Sequence, residues 1–352
     1  MNRREPPRPP SAAAAIGAAP AAGTVRAGPL QPIVDLLREQ GADPAAVLAA
    51  CGLPADALDD ADKRIPLRTA ACLFQQGALA IGRADFGLLV GQRFELRRAG
   101  VLGELMRHAS SVGAALELLS RYFHLQDRGS VPYLRRVDER HVALGYAIHD
   151  GDMPGAGLTY DAVLAMAMTT LRALCGPSFR PLEVHLSHGK APRQLPYRQC
   201  FDAPVVFDAS HSELCFAAKW LAAPVAGAAP SALMLARHLA QGTERHEPMR
   251  WAERARAAAR ALVMTAELSG PKVAQALGVH PRTLRRRLAE EGIGLRGVFD
   301  TVRADLAREL LKQTQLPLAD IAATLGFADS SALVRAFRGW TGSTPGRWRV
   351  QP

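Results

Sequence analysis

The chain has 352 residues, 48% of them apolar and 22% charged, with a formal net charge of +10 at pH 7. That length suits two domains with ordinary hydrophobic cores. No apolar run approaches the roughly 20 residues of a bilayer span, which argues against a membrane-embedded chain. The five cysteines (Cys51, Cys72, Cys175, Cys200, Cys215) are odd in number and far apart, with no CxxC pair. They read as reduced thiols buried in a cytoplasmic protein rather than as a disulfide framework.

Residues 1–28 are rich in Ala, Pro and Gly and are expected to be a disordered tail; the prolines argue against a signal peptide. Residues 29–224 read as the larger domain, helical first. Helices are expected over 32–40, stopped by Gly41, and from Asp43-Pro44 to Cys51-Gly52. Ile65-Pro66-Leu67 leads into a longer one through Ala80, ended by Gly82, and 102–109 and 112–122 follow at helical spacing. Residues 133–137 and 141–148 then alternate around Asp138-Glu139-Arg140, a hairpin signal. A helix over 159–174 and short strands at 182–187, 204–207 and 213–216 complete an α+β unit.

His185 and His188 are the most suggestive chemistry in this region. Strand alternation puts His185 with Ser187 and sends residues three apart to opposite faces, so the pair is poorly placed to share a metal. No Ser, Cys or Asp stands in a nucleophile-elbow, P-loop or zinc-finger context. The reading is therefore no enzyme, no catalytic residue, no metal and no cofactor. Residues 225–249, Ala-rich and then polar, read as a linker with a short helix at 231–240.

The last hundred residues carry one pattern twice: Val273-Ala-Gln-Ala-Leu-Gly-Val279 and Ile321-Ala-Ala-Thr-Leu-Gly-Phe327. A branched apolar residue and a small Ala precede Leu-Gly-apolar, as a helix-turn-helix requires. Leu284 with Leu288, and Leu333 with Phe337, then give each following helix one buried face. The opposite faces hold Arg282, Thr283, Arg285, Arg286 and Arg287 in the first copy, and Ser330, Ser331, Arg335 and Arg338 in the second. Residues 250–352 contain 17 Lys and Arg against 9 Asp and Glu, a net +8, leaving +2 for the rest. A basic excess on the repeated unit suits phosphate neutralisation. A first helix is expected over 250–264. A long one over 295–312, with Val298, Val302, Leu306 and Leu310 in one row, would join the two copies.

Residues 251–349 resemble the DNA-binding domain of the AraC/XylS transcription regulators, most specifically over 316–349 (LPLADIAATLGFADSSALVRAFRGWTGSTPGRWR). Leu295 and Leu333 stand where the family usually has Phe, and Trp348 where it usually has Tyr. The pieces Arg64-Ile-Pro-Leu67, Phe86-Gly-Leu-Leu-Val-Gly-Gln-Arg93 and Tyr197-Arg-Gln-Cys-Phe201 are similar to the arabinose-binding-like regulatory domain of one branch. The resemblance implies two domains: an α+β unit at 29–224 that binds an effector and dimerises, and an all-α unit at 250–349 with two helix-turn-helix motifs joined by a long helix. It further implies a homodimer on double-stranded promoter DNA, a small-molecule effector, contact with RNA polymerase, activation of a nearby metabolic operon, and a cytoplasmic, nucleoid-associated location. By position in the pattern, Arg282, Arg285 and Arg286 enter the groove, whereas Arg287, adjacent to buried Leu288, serves phosphate or a surface ion pair. A constitutive DNA-binding dimer, or a metal or thiol sensor, are the alternatives.

Overall fold

The computed structural model describes residues 23–150, 153–191 and 193–350. The expected tail therefore lies outside the described residues as far as residue 22. Beyond it the expectation fails: β1 (Thr24–Arg26) pairs antiparallel with β2 (Arg64–Pro66). Between these strands come α1 (Gln31–Glu39) and α2 (Pro44–Ala50), the latter capped by Asp43, whose side chain accepts from Ala45 N at 2.9 Å. Then follow α3 (Leu67–Ile81), α4 (Phe86–Gln92), α5 (Gly100–Arg107) and α6 (Val112–Tyr122).

The expected hairpin is β3 (Ser130–Arg136) and β4 (His141–Ile148). Its turn is held by Asp138, whose Oδ1 accepts from the amides of Arg140 and His141 at 2.7 and 2.9 Å, the local bond that makes Asp a turn former. Next are α7 (Ala156–Cys175), β5 (Glu183–His185), α8 (Leu195–Phe201), β6 (Val205–Val206) and β7 (Ser212–Ala217). The second sheet has the order β3-β4-β7-β5-β6, with only the β5–β6 pair parallel. Helix α4 lies directly on α7. A Cβ at Gly87 would come within 2.2 Å of the Leu158 carbonyl, and one at Gly91 within 2.4 Å of that of Ala162. The glycines are what allow the two backbones to approach.

Two expectations are corrected here. Cys51, at the end of α2, is bonded to Cys72 of α3 with Cα atoms 5.8 Å apart, so only Cys175, Cys200 and Cys215 are free thiols. Their sequence separation of 21 hid this; it is the folding of α2 back on α3 that brings them together. The stretch read as a linker is mostly α9 (Pro230–His246). Its Ala236 and Ala240 are buried in the main core, where the helix packs on α5. Small residues at i and i+4 made one face of this helix look like loop composition.

The C-terminal unit is all helix: α10 (Trp251–Met264), α11 (Gly270–Ala276), α12 (Pro281–Glu290), α13 (Leu295–Gln313), α14 (Leu318–Thr324), α15 (Ser330–Thr341) and α16 (Pro345–Arg349). It docks on the sheet through an alanine face of α10, where Ala252, Ala255 and Ala259 share one buried cluster with Val131 and Tyr133 of β3. Among the described residues, no helix is long and apolar enough to cross a membrane.

Candidate nucleic-acid interface and the contact between domains

The two repeated segments fold as α11–α12 and α14–α15, and their turns agree bond for bond. Val279 N donates to Ala274 O and Phe327 N to Ala322 O, both at 2.9 Å. Gly278 N donates to Gln275 O and Gly326 N to Ala323 O, both at 3.0 Å. Gly278 (φ 66°) and Gly326 (φ 72°) sit in the left-handed region that this turn demands. Val273, Ala274, Ile321 and Ala322 are wholly buried, as are Leu284, Leu288, Leu333 and Phe337. Leu333, where the resemblance led one to expect Phe, thus keeps the core filled. Truncating any of these large side chains to Ala would cost about 2–5 kcal/mol.

With that face fixed, the arginines are forced outward. Arg282, Arg285, Arg286 and Arg287 are all exposed, with Thr283 half-buried. In the second unit Ser331, Arg335 and Arg338 are exposed and Ser330 is half-buried. Among the described residues, Arg282, Arg285, Arg335 and Arg338 make no ion pair, whereas Arg286 and Arg287 both reach Glu290, at 3.8 and 3.4 Å. Arg287 also lies over the Trp251 ring, which sets it apart from its neighbours. The N-terminus of α12 is capped by His280 Nδ1, accepting from Arg282 N at 3.2 Å, and that of α15 by Asp329, accepting from Ala332 N at 2.7 Å. Helix α13 joins the units; its 19 residues span about 28 Å at 1.5 Å each.

Residues 41–225 match the arabinose-binding domain of AraC transcription regulators, N-terminal, and residues 273–351 match a helix-turn-helix domain. The chain belongs to the AraC family of transcription regulators. It is 28% identical to the HTH-type transcriptional regulator VirS of Mycobacterium tuberculosis, over 93% of this chain and 96% of that protein. It is 26% identical to the ornithine utilization regulator of Pseudomonas aeruginosa, over 91% and 94%. The crystal structure of the transcriptional regulator CdpR from P. aeruginosa aligns over 92% of this chain and 98% of that one, with 26% identity and a TM-score of 0.47.

In this AraC-type regulator the DNA-binding domain is clamped to the regulatory domain by charges that sequence reasoning missed. Glu309 of α13 is fully enclosed; it accepts from Arg260 Nη2 at 2.5 Å and from the Tyr160 hydroxyl of α7. Burial pushes the Glu309 carboxyl up, against the pull of Arg260. Asp305, one turn earlier, is raised to about 6, also by burial, although Arg308 pairs with it at 2.7 Å. In the segment that leads from α9 into α10, Glu247 gathers Arg26, Arg64 and Arg128 of the regulatory domain within 3.4 Å. One signal was available: Asp305 and Glu309 are like charges at i, i+4, unfavourable on a solvated helix. That spacing asks for cations from elsewhere in the fold.

The regulatory domain also encloses a cavity of about 150 Å³. Its wall is largely apolar, with Phe74, Leu102, Met106, Leu144 and Leu164 among its members and a polar end at Gln126, Asp127 and Tyr146. Asp127 accepts from Ser130 Oγ at 2.5 Å and Tyr146 Oη at 2.9 Å, and burial raises its carboxyl.

The two histidines separate. His188 Nε2 meets Asp161 at 3.0 Å, and the same carboxylate accepts from Tyr197 Oη at 2.7 Å. His185 instead lies between Glu183 and Glu213, at 2.8 and 3.6 Å. His185, Glu213 and Cys215 bring potential ligand atoms within 4.8 Å of one another. Yet the Arg135 guanidinium already sits on the Glu213 carboxylate. Burial pushes Glu213 up, but hydrogen bonds from His185 and Arg135 outweigh it and hold it at about 2, while burial drives the Cys215 thiol to about 12. With Arg135 and His185 both on Glu213, this cluster is held together as an ion-pair network.

Proposed function

We propose that this regulator binds promoter DNA through both helix-turn-helix units and changes its grip when a small, largely apolar effector fills the cavity of the regulatory domain. The observation that carries the effector reading is the position of α7. One face of this helix walls the cavity with Thr159, Val163 and Leu164. Between them Tyr160 turns away, onto Glu309 of the DNA-binding domain. A ligand that shifts α7 therefore acts on the clamp directly, which is the differential contact that coupling needs. A cavity near 150 Å³ is about the size that holds benzene, so a small aromatic or short alkyl body fits, its polar group turned to the Asp127 end.

On DNA, Arg282, Arg285 and Arg286 read base edges from α12 with Thr283 beside them, guanine being the partner best suited to Arg. Arg287 serves phosphate. Ser330, Ser331, Arg335 and Arg338 of α15 hold the next groove segment, about one duplex turn along. A homodimer fits the exposed Met234, Leu235 and Leu239 on α9. Activation of a nearby operon with RNA polymerase inside the cell completes the reading. The test is a footprint and DNA titration of the full chain, with and without small aromatic and alkyl compounds. Leu164→Trp, which fills the cavity, should keep DNA binding and lose the response. A response that survives Leu164→Trp would remove the effector from this cavity, and DNA binding indifferent to every compound would favour the constitutive dimer.

A further inference from the structure

A crevice of about 440 Å³ lies between the two domains. Arg68, Arg128 and His149 line it from the regulatory side, Arg256 and Arg260 from α10. Arg260 is 1% exposed and uses Nη2 on Glu309, while its Nε and Nη1 are shut off from solvent with no acceptor. Arg128 Nε, Arg256 Nε and His149 Nε2 are stranded in the same way. Buried polar groups are nearly always paired, and cationic donors most of all. Here the four side chains that carry the unpaired donors all line this one crevice.

The acids around the crevice do not answer them. Asp150 is held by Arg68 at 2.5 and 3.0 Å, Asp305 by Arg308 at 2.7 Å, and Glu253 accepts from Arg250 N at 3.3 Å. Glu309 is taken by Arg260 and Tyr160. Burial first, then Arg260 and Arg256, hold His149 down to about 3. A neutral imidazole there can still turn an N–H toward an acceptor.

We propose that the crevice is a binding site for a small oxyanion, the carboxylate of a metabolite or a phosphate, whose oxygens accept from Arg256, Arg260 and His149 together. Guanidinium forks match such groups bidentately. Because its partners come from both domains, the anion ties the DNA-binding domain to the regulatory one. The site is separate from the apolar cavity, although Leu67 contributes to both walls. Its regulatory meaning rests on the effector-controlled reading above; its existence as a site does not.

The test is calorimetric titration of the full chain with sodium acetate, sodium succinate and sodium phosphate, each against sodium chloride of equal ionic strength. At least one oxyanion should saturate a single site, and the arm that saturates identifies the source. Arg256→Gln, at a half-exposed position, should weaken that binding about tenfold, the effect of one charge-assisted bond. Asp305→Asn should tighten it several-fold by removing a nearby negative charge. No saturable uptake of any of the three, or affinities that ignore both substitutions, overturns the site. DNA affinity measured with the anion bound is scored separately. Saturation that leaves DNA affinity unchanged keeps the site and removes it from regulation, whereas a response to apolar compounds without anion uptake keeps the effector reading and overturns the site.

Discussion

Asp305→Asn should stabilise the protein at neutral pH. The carboxyl is 6% exposed on α13 and burial raises it from its ordinary 3.8 to about 6. It faces Arg308 on its own helix, Arg260 and Arg256 on α10, and Asp150 beyond the end of β4. The cations pull it down and Asp150 pushes it up, and burial outweighs them. A raised acid contributes stability that is whole below pH 3.8 and is lost as pH climbs through about 6. Above that the loss is about 3 kcal/mol, at roughly 1.4 kcal/mol per tenfold change in proton affinity. Asn is never charged, so it recovers this amount, the pull of Arg308 being already contained in the shift. The gain of about 3 kcal/mol corresponds to a Tm rise of about 6–12 °C. Urea unfolding of both proteins from pH 4 to 7.5 checks it: the curves should converge at the acid end and separate between pH 4 and 6. A variant equal to or weaker than the parent at pH 7, with the same pH slope, would refute the burial penalty.

Arg285→Ala and Arg286→Ala should each cost about 1–3 kcal/mol on the cognate site and relax base preference there, as read by titration of single-base variants; unchanged selectivity in both would take α12 out of the groove. Arg286 should show the smaller loss, since Glu290 already shares its charge. Arg335→Ala should weaken binding and shorten the footprint at one end, and a footprint of full length and full affinity would defeat docking by both units. Alkylation of the denatured chain without reductant should label three thiols, and five after reduction, by intact mass; five labels without reductant would contradict the Cys51–Cys72 bond.

The DNA-binding half was legible because its information is local. Ala at the helix crossing, Gly at a positive φ and apolar pairs at i, i+4 are all demands that neighbouring residues place on one another. They recur in Val273–Val279 and Ile321–Phe327 without reference to the rest of the chain, and the arginine faces follow from which side those pairs bury. The hairpin at Asp138 was legible for the same reason. Other features depend on residues far apart in sequence, and only the tertiary structure decided them. Cys51 meets Cys72 because α2 folds back on α3. Residues 230–246 form a core helix because α5 offers a surface to Ala236 and Ala240. Asp305 and Glu309 are buried because α10 lays an alanine face on β3, bringing Arg260 and Tyr160 to them from 49 and 149 residues away in the case of Glu309. Local spacing states what one helix can bury. Which distant charges arrive to compensate, and which donors are left waiting at the seam between domains, is settled only when the two units close on each other.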